Sequence, residues 1–370
     1  MDQAVIRRRL VALREARSST QEQLATALEF NDRQTLAEIE AGRRQIAFVE
    51  LSKAAHYFGV KLDYFTDPLL LAGEAKFSWR RTREVGIDLD TFEDRAGGWI
   101  AAYRHLSRLR GDSVNSSLAQ IELTTKSSYE DAWAEGEAIA RNLDLGDVPA
   151  AKLAQALEER WDTLVLYVNA LTGVSGAACQ VGAMNAVIIN RREPEGRQNY
   201  DLAHEVFHLI TWSKMKPQRI EGDVVLTKAY KRIEALADNF AAGLLMPAQS
   251  LERYIAENPL PRDRDTAQLV NWIRSAASLF MVSGDAMRWR LCCLTYISNA
   301  TANNLDAVEI RVPSTNVVPP QFSRRFVEVL GWGIEQGHIS VRRAAEVIGD
   351  TIDDLADLFS EHGLKTPFDM

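Results

Sequence analysis

The chain has little cysteine, no long apolar run and no tract of low complexity. Its 370 residues include three cysteines, an odd number that argues against a disulfide framework and favours a reducing compartment. No segment reaches about 18 consecutive apolar residues, and the first residues lack the apolar stretch of a signal peptide. These absences predict a cytoplasmic protein without a membrane span.

An excess of positive charge is also missing. The 43 lysines and arginines stand against 51 aspartates and glutamates, a net charge of −8. This argues against a protein that coats nucleic acid but leaves room for a local DNA-binding module. The content of 46% hydrophobic and 25% charged residues is typical of a folded protein, and the length predicts about two to three domains.

The N-terminal segment has a clear helical period. Ile6, Leu10 and Leu13 share one face of a first helix. Capping and turn residues bound three further predicted helices, at residues 21–28, 33–40 and 48–58. Short helices in this order, with tight turns between them, are typical of a helix-turn-helix domain.

Three stretches of this segment also resemble the XRE (Cro/repressor-type) family: LVALREARSSTQEQLATAL, RQTLAEIEAGRR and LSKAAHYFGVKLDYF. The resemblance implies that the helix over 33–40 enters the major groove of DNA and that Gln21 contacts phosphate. The implied base-edge and phosphate contacts come from Arg33, Gln34, Thr35, Arg43 and Arg44. Because such domains generally bind operators as dimers, a homodimer is the expected assembly.

A second interpretation of this domain rests on its charges. Residues 1–66 hold ten basic and nine acidic residues, and Glu38 and Glu40 lie on or beside the expected recognition helix. Both carboxylates would repel phosphate. The segment could therefore keep the fold and serve for protein–protein contact.

The centre of the chain has a different pattern. Helices are predicted at 131–143 and 148–160, and strands at 163–168, 177–181 and 186–190. An apolar helix follows, NYDLAHEVFHLITW, in which His204, Glu205 and His208 are set. Residues four apart share a helix face, so both histidines can bind one metal ion, and Glu205 can take a proton from an activated water.

A catalytic zinc needs a third protein ligand and an open position. The strongly patterned helix downstream is RIEALADNFAAGLLMP. Glu234 lies on its first turn, where a carboxylate can point at the histidine helix. Asp238, four residues later, can accept the free N–H of a ligand histidine. The pattern therefore predicts a His2Glu hydrolase site.

The two stretches NYDLAHEVFHLI and EALADNFAAGLLMP resemble the ImmA/IrrE family of metallopeptidases, and SGAACQVGAMNAVIIN fits the strands that lead into that family's active helix. The resemblance covers about 131–300. It implies that His204, His208 and Glu234 are Zn²⁺ ligands and that Glu205 is the general base of a gluzincin-like endopeptidase. Two alternatives are a histidine pair that merely packs in the core, and an inactive protease that keeps zinc for stability.

The expected fold class is mostly α and multidomain: an all-α helix-turn-helix domain and an α+β zincin-like metallopeptidase domain with a small sheet. The predicted units are the helix-turn-helix domain (1–71), a helical connector (72–130), the metallopeptidase domain (131–300) and a C-terminal helical module (301–370). The connector contains an amphipathic helix near 91–110. The C-terminal module includes a predicted strand at 307–312.

Two further residues are candidates near the zinc. In zincin-like folds an edge strand borders the cleft and the substrate backbone adds to it. Cys179, on the strand pair before the metal helix, could fill the open zinc position as a built-in switch, or it could be a small buried hydrophobe. Tyr230, one turn before Glu234, could stabilise the oxyanion.

Two functions from different classes follow. The first is a zinc endopeptidase that cleaves a partner regulatory protein, often a repressor in this family, in a stress, defence or mobile-element response. The second is a transcriptional regulator, or the antitoxin of a toxin–antitoxin pair, whose zinc domain binds a partner without cleaving it.

Overall fold

The structure, a computed structural model, describes the chain over 3–71, 75–81, 89–112, 117–215, 227–261, 265–313 and 318–369. Apolar side chains in these ranges gather in three buried clusters. One cluster belongs to the N-terminal helices, and the other two lie on opposite faces of a small sheet. No helix of the described ranges is both long enough and apolar enough to cross a membrane.

The N-terminal domain consists of the short helices α1 (Gln3–Ala16), α2 (Gln21–Ala27), α3 (Arg33–Glu40), α4 (Phe48–Phe58) and α5 (Asp63–Thr66). Thr20 caps α2 through a capping box with Gln23. Asp32 caps α3 by accepting the backbone N–H of Thr35 at 2.9 Å. Gly59 ends α4 with φ +66°, which favours glycine. The predicted helices are confirmed in type and order.

The sheet has the strand order β1-β3-β4-β2, where β1 is Lys76–Arg81, β2 Thr163–Val168, β3 Val174–Val181 and β4 Met184–Asn190. β2 and β4 are parallel, whereas β1 and β4 each pair antiparallel with β3. Strand β1 comes from the segment predicted to be a helical connector. Its period-two pattern, with Phe77 and Trp79 apolar, spans only six residues and was therefore missed.

One sheet face packs against α9 (Glu195–Thr211) and the helices around it. These are α7 (Tyr129–Asn142), α10 (Lys228–Leu245), α11 (Ala248–Glu257), α12 (Thr266–Leu279), α13 (Gly284–Cys293) and α14 (Asn299–Asn304). Glycines let α7 and α10 approach closely: a Cβ at Gly136 would lie 2.7 Å from the backbone nitrogen of Leu244. The predicted helix at 148–160 begins as a 3-10 turn, Pro149–Ala151, and continues as α8 (Leu153–Arg160).

The opposite sheet face is covered by α6 (Leu89–Arg110) and by the C-terminal helices α15 (Arg324–Glu335), α16 (Val341–Ile348) and α17 (Ile352–Glu361). Trp99 of α6 meets Phe322, just before α15, edge to face at 5.2 Å between ring centroids. The C-terminal helices therefore share one core with the connector and the sheet.

The strand predicted at 307–312 is wrong. Residues 307–310 form a turn, and 311–313 have no regular structure. Ile310 is fully buried, and its carbonyl oxygen lies against Gly284 at the start of α13. Packing against a helix explains Ile310, whereas Val308 is 78% exposed. The described sheet ends at β1 and β2 and does not include this segment.

Candidate metal centre and DNA-binding surface

Helix α9 carries the two histidines deep inside the molecule. His204 and Glu205 are each 1% exposed, and His208 is 2% exposed. Burial of three polar side chains in one apolar helix costs free energy unless each has a polar partner, so their placement calls for a functional explanation.

Helix α10 brings Glu234 to the same place. Its N-terminus is capped by Thr227, whose hydroxyl accepts the Tyr230 N–H at 3.2 Å. The helix begins at Lys228, earlier than the predicted start at Arg232, so Glu234 lies on its second turn and not on its first. The Glu234 carboxylate reaches across to α9 and stays 23% exposed. The prediction that this carboxylate points at the histidine helix agrees with the geometry.

The spacing of the three side chains fits a metal ion. His204 Nε2 and His208 Nε2 are 3.1 Å apart, and each lies 3.3 Å from a different oxygen of Glu234. Two ligands about 2.05 Å from one ion at the tetrahedral angle would be about 3.3 Å apart. Among the described residues, these three form the group whose ligand atoms all lie within 4.8 Å of one another.

A hydrogen bond orients the first histidine. His204 Nδ1 lies 2.9 Å from Asp238 Oδ1, so Nδ1 donates to this carboxylate and Nε2 is the ring nitrogen that faces Glu234. Tyr200, one turn before His204, donates its hydroxyl proton to the Asp238 carbonyl oxygen at 2.7 Å. Sequence analysis missed Tyr200, although its spacing of four residues from His204 was a usable signal.

The electrostatics favour a charged Glu234. Burial raises the pKa of its carboxyl group, but hydrogen bonds and charge from His204 and His208 outweigh this effect and hold the pKa well below its usual range. The site therefore holds a carboxylate beside two imidazole nitrogens, which is the donor set of a His2Glu metal centre.

Glu205 lies beneath strand β3. A Cβ at Gly176 would be 3.5 Å from Glu205 Cγ and 3.0 Å from the Ile188 carbonyl oxygen. A Cβ would therefore crowd β4, where Ile189 Cδ1 also lies only 3.3 Å away, and would be in ordinary contact with Glu205. Glycine at this position lets β3 pass close to β4, above the expected general base.

The switch predicted for Cys179 is wrong. Cys179 is fully buried on the sheet face that packs against α6, whereas its neighbour Ala178 belongs to the α9 side. Burial raises the pKa of the Cys179 thiol well above its usual value. The thiol therefore points away from the metal centre and has the character of a small apolar side chain.

Tyr230 lies within helix α10, on the same helix as Glu234. It belongs to the first turn of α10, one turn before Glu234, and is 7% exposed. Its part in oxyanion stabilisation stays a prediction.

The expected DNA-contact residues of the N-terminal domain fall into two groups. Arg33, Gln34 and Arg43 are exposed, and Thr35 is half-buried on the same helix as Arg33. By contrast, the Gln21 side chain donates to Glu40 at 2.7 Å, and Arg44 pairs with Glu50 at 2.6 Å. Gln21 and Arg44 would have to exchange these partners to contact DNA.

Of the two carboxylates expected to repel phosphate, Glu38 and Glu40, the second is paired inside the domain. Glu40 forms an ion pair with Arg14 at 2.6 Å, and its side chain is only 8% exposed. Its negative charge is neutralised inside the domain and adds little repulsion at the surface.

Comparison with known families agrees with both parts of the chain. Residues 172–291, which include β3, β4, His204, His208 and Glu234, match a peptidase family model described as an IrrE N-terminal-like domain. Residues 10–65 match a helix-turn-helix model. The chain joins a helix-turn-helix domain to an ImmA/IrrE-type domain. The resemblance drawn from the two motifs is thus confirmed, and the IrrE-like domain is of a metallopeptidase type. None of the curated proteins has a matching sequence.

Proposed function

We propose that the chain is a zinc-dependent endopeptidase that carries its own DNA-binding domain. The observation that supports this proposal most directly is the cluster of His204, His208 and Glu234, with ligand atoms 3.1 to 3.3 Å apart. Two imidazoles and one carboxylate are the protein ligands of catalytic zinc sites that leave a fourth position open. Bound zinc would supply Lewis acidity toward the substrate carbonyl group and the attacking water.

Each remaining polar residue has a role in this proposal. Glu205, beside the first ligand, accepts a proton from the attacking water and passes it to the leaving amine. Asp238 keeps His204 in the tautomer that binds metal through Nε2. Tyr230, one turn before Glu234, donates a hydrogen bond to the developing oxyanion.

The substrate we propose is a partner regulatory protein, with a transcriptional repressor as the first choice. The support is the combination of domains: a helix-turn-helix surface places the peptidase beside DNA, where such a partner is bound. The setting would be a cytoplasmic stress, defence or mobile-element response.

The second function, a regulator or antitoxin that binds its partner without cleavage, also has an observation in its favour. Glu205 is 1% exposed, so a substrate cannot reach it in this conformation. The two functions differ in whether hydrolysis ever occurs.

The deciding experiment compares the wild type with Glu205→Ala. Each protein is purified, its zinc is measured by elemental analysis, and it is incubated with the proteins encoded beside its gene. We expect stoichiometric zinc in both and cleavage of one neighbour by the wild type alone. Glu234→Ala is the matched control that should lose zinc as well as activity. An absence of zinc from the wild type would overturn the proposal, and cleavage by Glu205→Ala would overturn the assigned base.

A further inference from the structure

The outer edge of strand β3 is the natural place for an extended substrate. Gly176 puts this strand directly against Glu205, and α9 packs against β3 and β4. Extended peptides bind proteins by adding a strand to a free sheet edge, where backbone hydrogen bonds hold them whatever their side chains. A peptide on this edge would lie beside the proposed base.

That edge is not free. Strand β1 pairs antiparallel with β3 along it, from Lys76 opposite Gln180 to Arg81 opposite Val174. Arg80 lies opposite Gly176, the position at which a Cβ would come 3.5 Å from Glu205 Cγ. β1 therefore occupies the position in which a substrate backbone would pair.

The pairing of β1 is firm at one point and interrupted at another. Trp79 is 1% exposed, donates its ring N–H to Glu93 at 2.8 Å and stacks on Phe77, which anchors the strand to α6. Between Arg80 and Arg81 the register of β1 against β3 shifts, which interrupts the regular pairing next to the Arg80–Gly176 pair.

The position of β1, both in the chain and in the sheet, would allow this strand to detach from β3. It is a terminal strand of the four-stranded sheet, so it can leave without breaking the β3–β4 and β4–β2 pairings. It also lies between the two matched regions, 10–65 and 172–291, and follows the helix-turn-helix domain in the chain.

We propose that β1 is an autoinhibitory strand, which holds the peptidase latent by filling the substrate edge of β3 until it is displaced. The inference rests on the proposed peptidase function. With β1 in this position, Glu205 is 1% exposed. The partner that displaces β1 would be an extended polypeptide that pairs antiparallel with β3.

The first test loosens the strand in the full-length, zinc-loaded chain. Ser78→Pro fixes φ and removes a backbone N–H in the middle of β1, opposite Ala178 of β3, and so disturbs the pairing of the two strands. We expect the neighbour-encoded protein to be cleaved about tenfold faster than by wild type, the factor that matches the net contribution of one backbone hydrogen bond. We also expect faster amide hydrogen exchange over residues 174–181. The double variant Ser78→Pro/Glu205→Gln is the control that should show the exchange without the cleavage.

The second test locks the strand. Phe77 lies directly opposite Cys179, and the two side chains share the α6 face, so Phe77→Cys allows a cross-strand disulfide. Cys292→Ser and Cys293→Ser remove the other thiols. The oxidised Phe77→Cys protein should cleave the neighbour-encoded protein about tenfold more slowly than the same variant does after reduction. The matched control keeps Phe77 and should not respond to the oxidant.

The possible results separate this inference from the proposed function. Autoinhibition would be overturned if the oxidised and reduced Phe77→Cys proteins cleaved at equal rates. It would also be overturned if a folded Ser78→Pro chain cleaved no faster than an active wild type. Neither result would contradict the peptidase function. Cleavage of the chain itself within 76–81 would make β1 a substrate and overturn its inhibitory role. Faster exchange at 174–181 with zinc bound and no cleavage by any variant would instead overturn the peptidase, and autoinhibition with it.

Discussion

His204 is held by a neighbour as well as by its helix. Its Nδ1 hydrogen bond to Asp238 selects the tautomer that leaves Nε2 as a metal-binding atom. Asp238 is still 44% exposed on its side chain, so it can be changed without opening a hole in the core. This residue therefore offers a direct measurement of how much orientation of a histidine contributes to metal affinity.

Asp238→Ala should weaken zinc binding about 10- to 100-fold, because His204 loses the acceptor that orients it. Asp238→Asn should recover most of the affinity, since its amide oxygen can still accept from Nδ1–H. Competition with a chelator of known affinity measures both variants. Equal zinc affinity in Asp238→Ala and wild type would mean that the helix alone orients His204.

At the scale of elements, α8 and α15 meet around a buried carboxylate. Burial raises the pKa of Glu158 to about 7, although hydrogen bonds from Ser323 and the Val165 N–H act in the opposite direction. Arg325 of α15 donates to the Glu158 carbonyl oxygen at 2.6 Å and pairs with Asp162. The contact between the sheet layer and the C-terminal helices is thus sensitive to pH.

The raised pKa predicts the direction of the pH effect on stability. Between pH 4.5 and about 7 the folded chain keeps a proton on Glu158 that the unfolded chain releases, so the free energy of unfolding falls as pH rises. The loss is at most about 3 kcal/mol. The free energy of unfolding is measured with urea at pH 5 and at pH 8. Between these two pH values it should fall less for Glu158→Gln than for wild type. The exposed neighbour Glu159→Gln is the control, and a wild type with the same pH dependence as Glu158→Gln would contradict the prediction.

At the scale of the whole molecule, a chain of net charge −8 presents a local surface suited to DNA. Glu40 is neutralised by Arg14, while Arg33 and Arg43 stay exposed near α3. Overall repulsion from DNA is long-range and weakens with salt, whereas arginine contacts to phosphate and bases are local. The helix-turn-helix domain can therefore bind DNA despite the acidic remainder.

Arg33→Ala and Arg43→Ala should each weaken binding to DNA from upstream of the chain's own gene by about tenfold. If both contact phosphate, the double variant should also lower the slope of log affinity against log salt by about two. Arg342→Ala, an 86% exposed arginine of α16, is the matched control and should leave binding unchanged. Loss of binding by the control to the same extent would mean that the arginines act only through net charge.

Local patterns predicted the helices and the residues His204, His208 and Glu234, which the structure brings together. Helix periodicity and caps located α2 to α4, and a spacing of four residues placed His204 and His208 on one face. The same reasoning failed at β1 and at 307–312, where short apolar runs occur in both strands and packed turns. For Cys179 it left two roles open, a zinc-blocking switch and a small buried hydrophobe, because a single strand does not reveal which of its faces meets which helix. The structure agrees with the buried hydrophobe.

The sequence by itself determined what depends on neighbours along the chain: the helix-turn-helix order, the histidine pair and the carboxylate of α10. Only the tertiary structure decided what depends on distant pairing. It brought β1 onto the edge of β3, set Gly176 over Glu205 and turned Cys179 toward α6. The physical reason is the distance along the chain over which each element forms its hydrogen bonds. Helix hydrogen bonds join residues four apart, whereas β1 and β3 are about a hundred residues apart. The register of these two strands therefore follows from packing on both sheet faces.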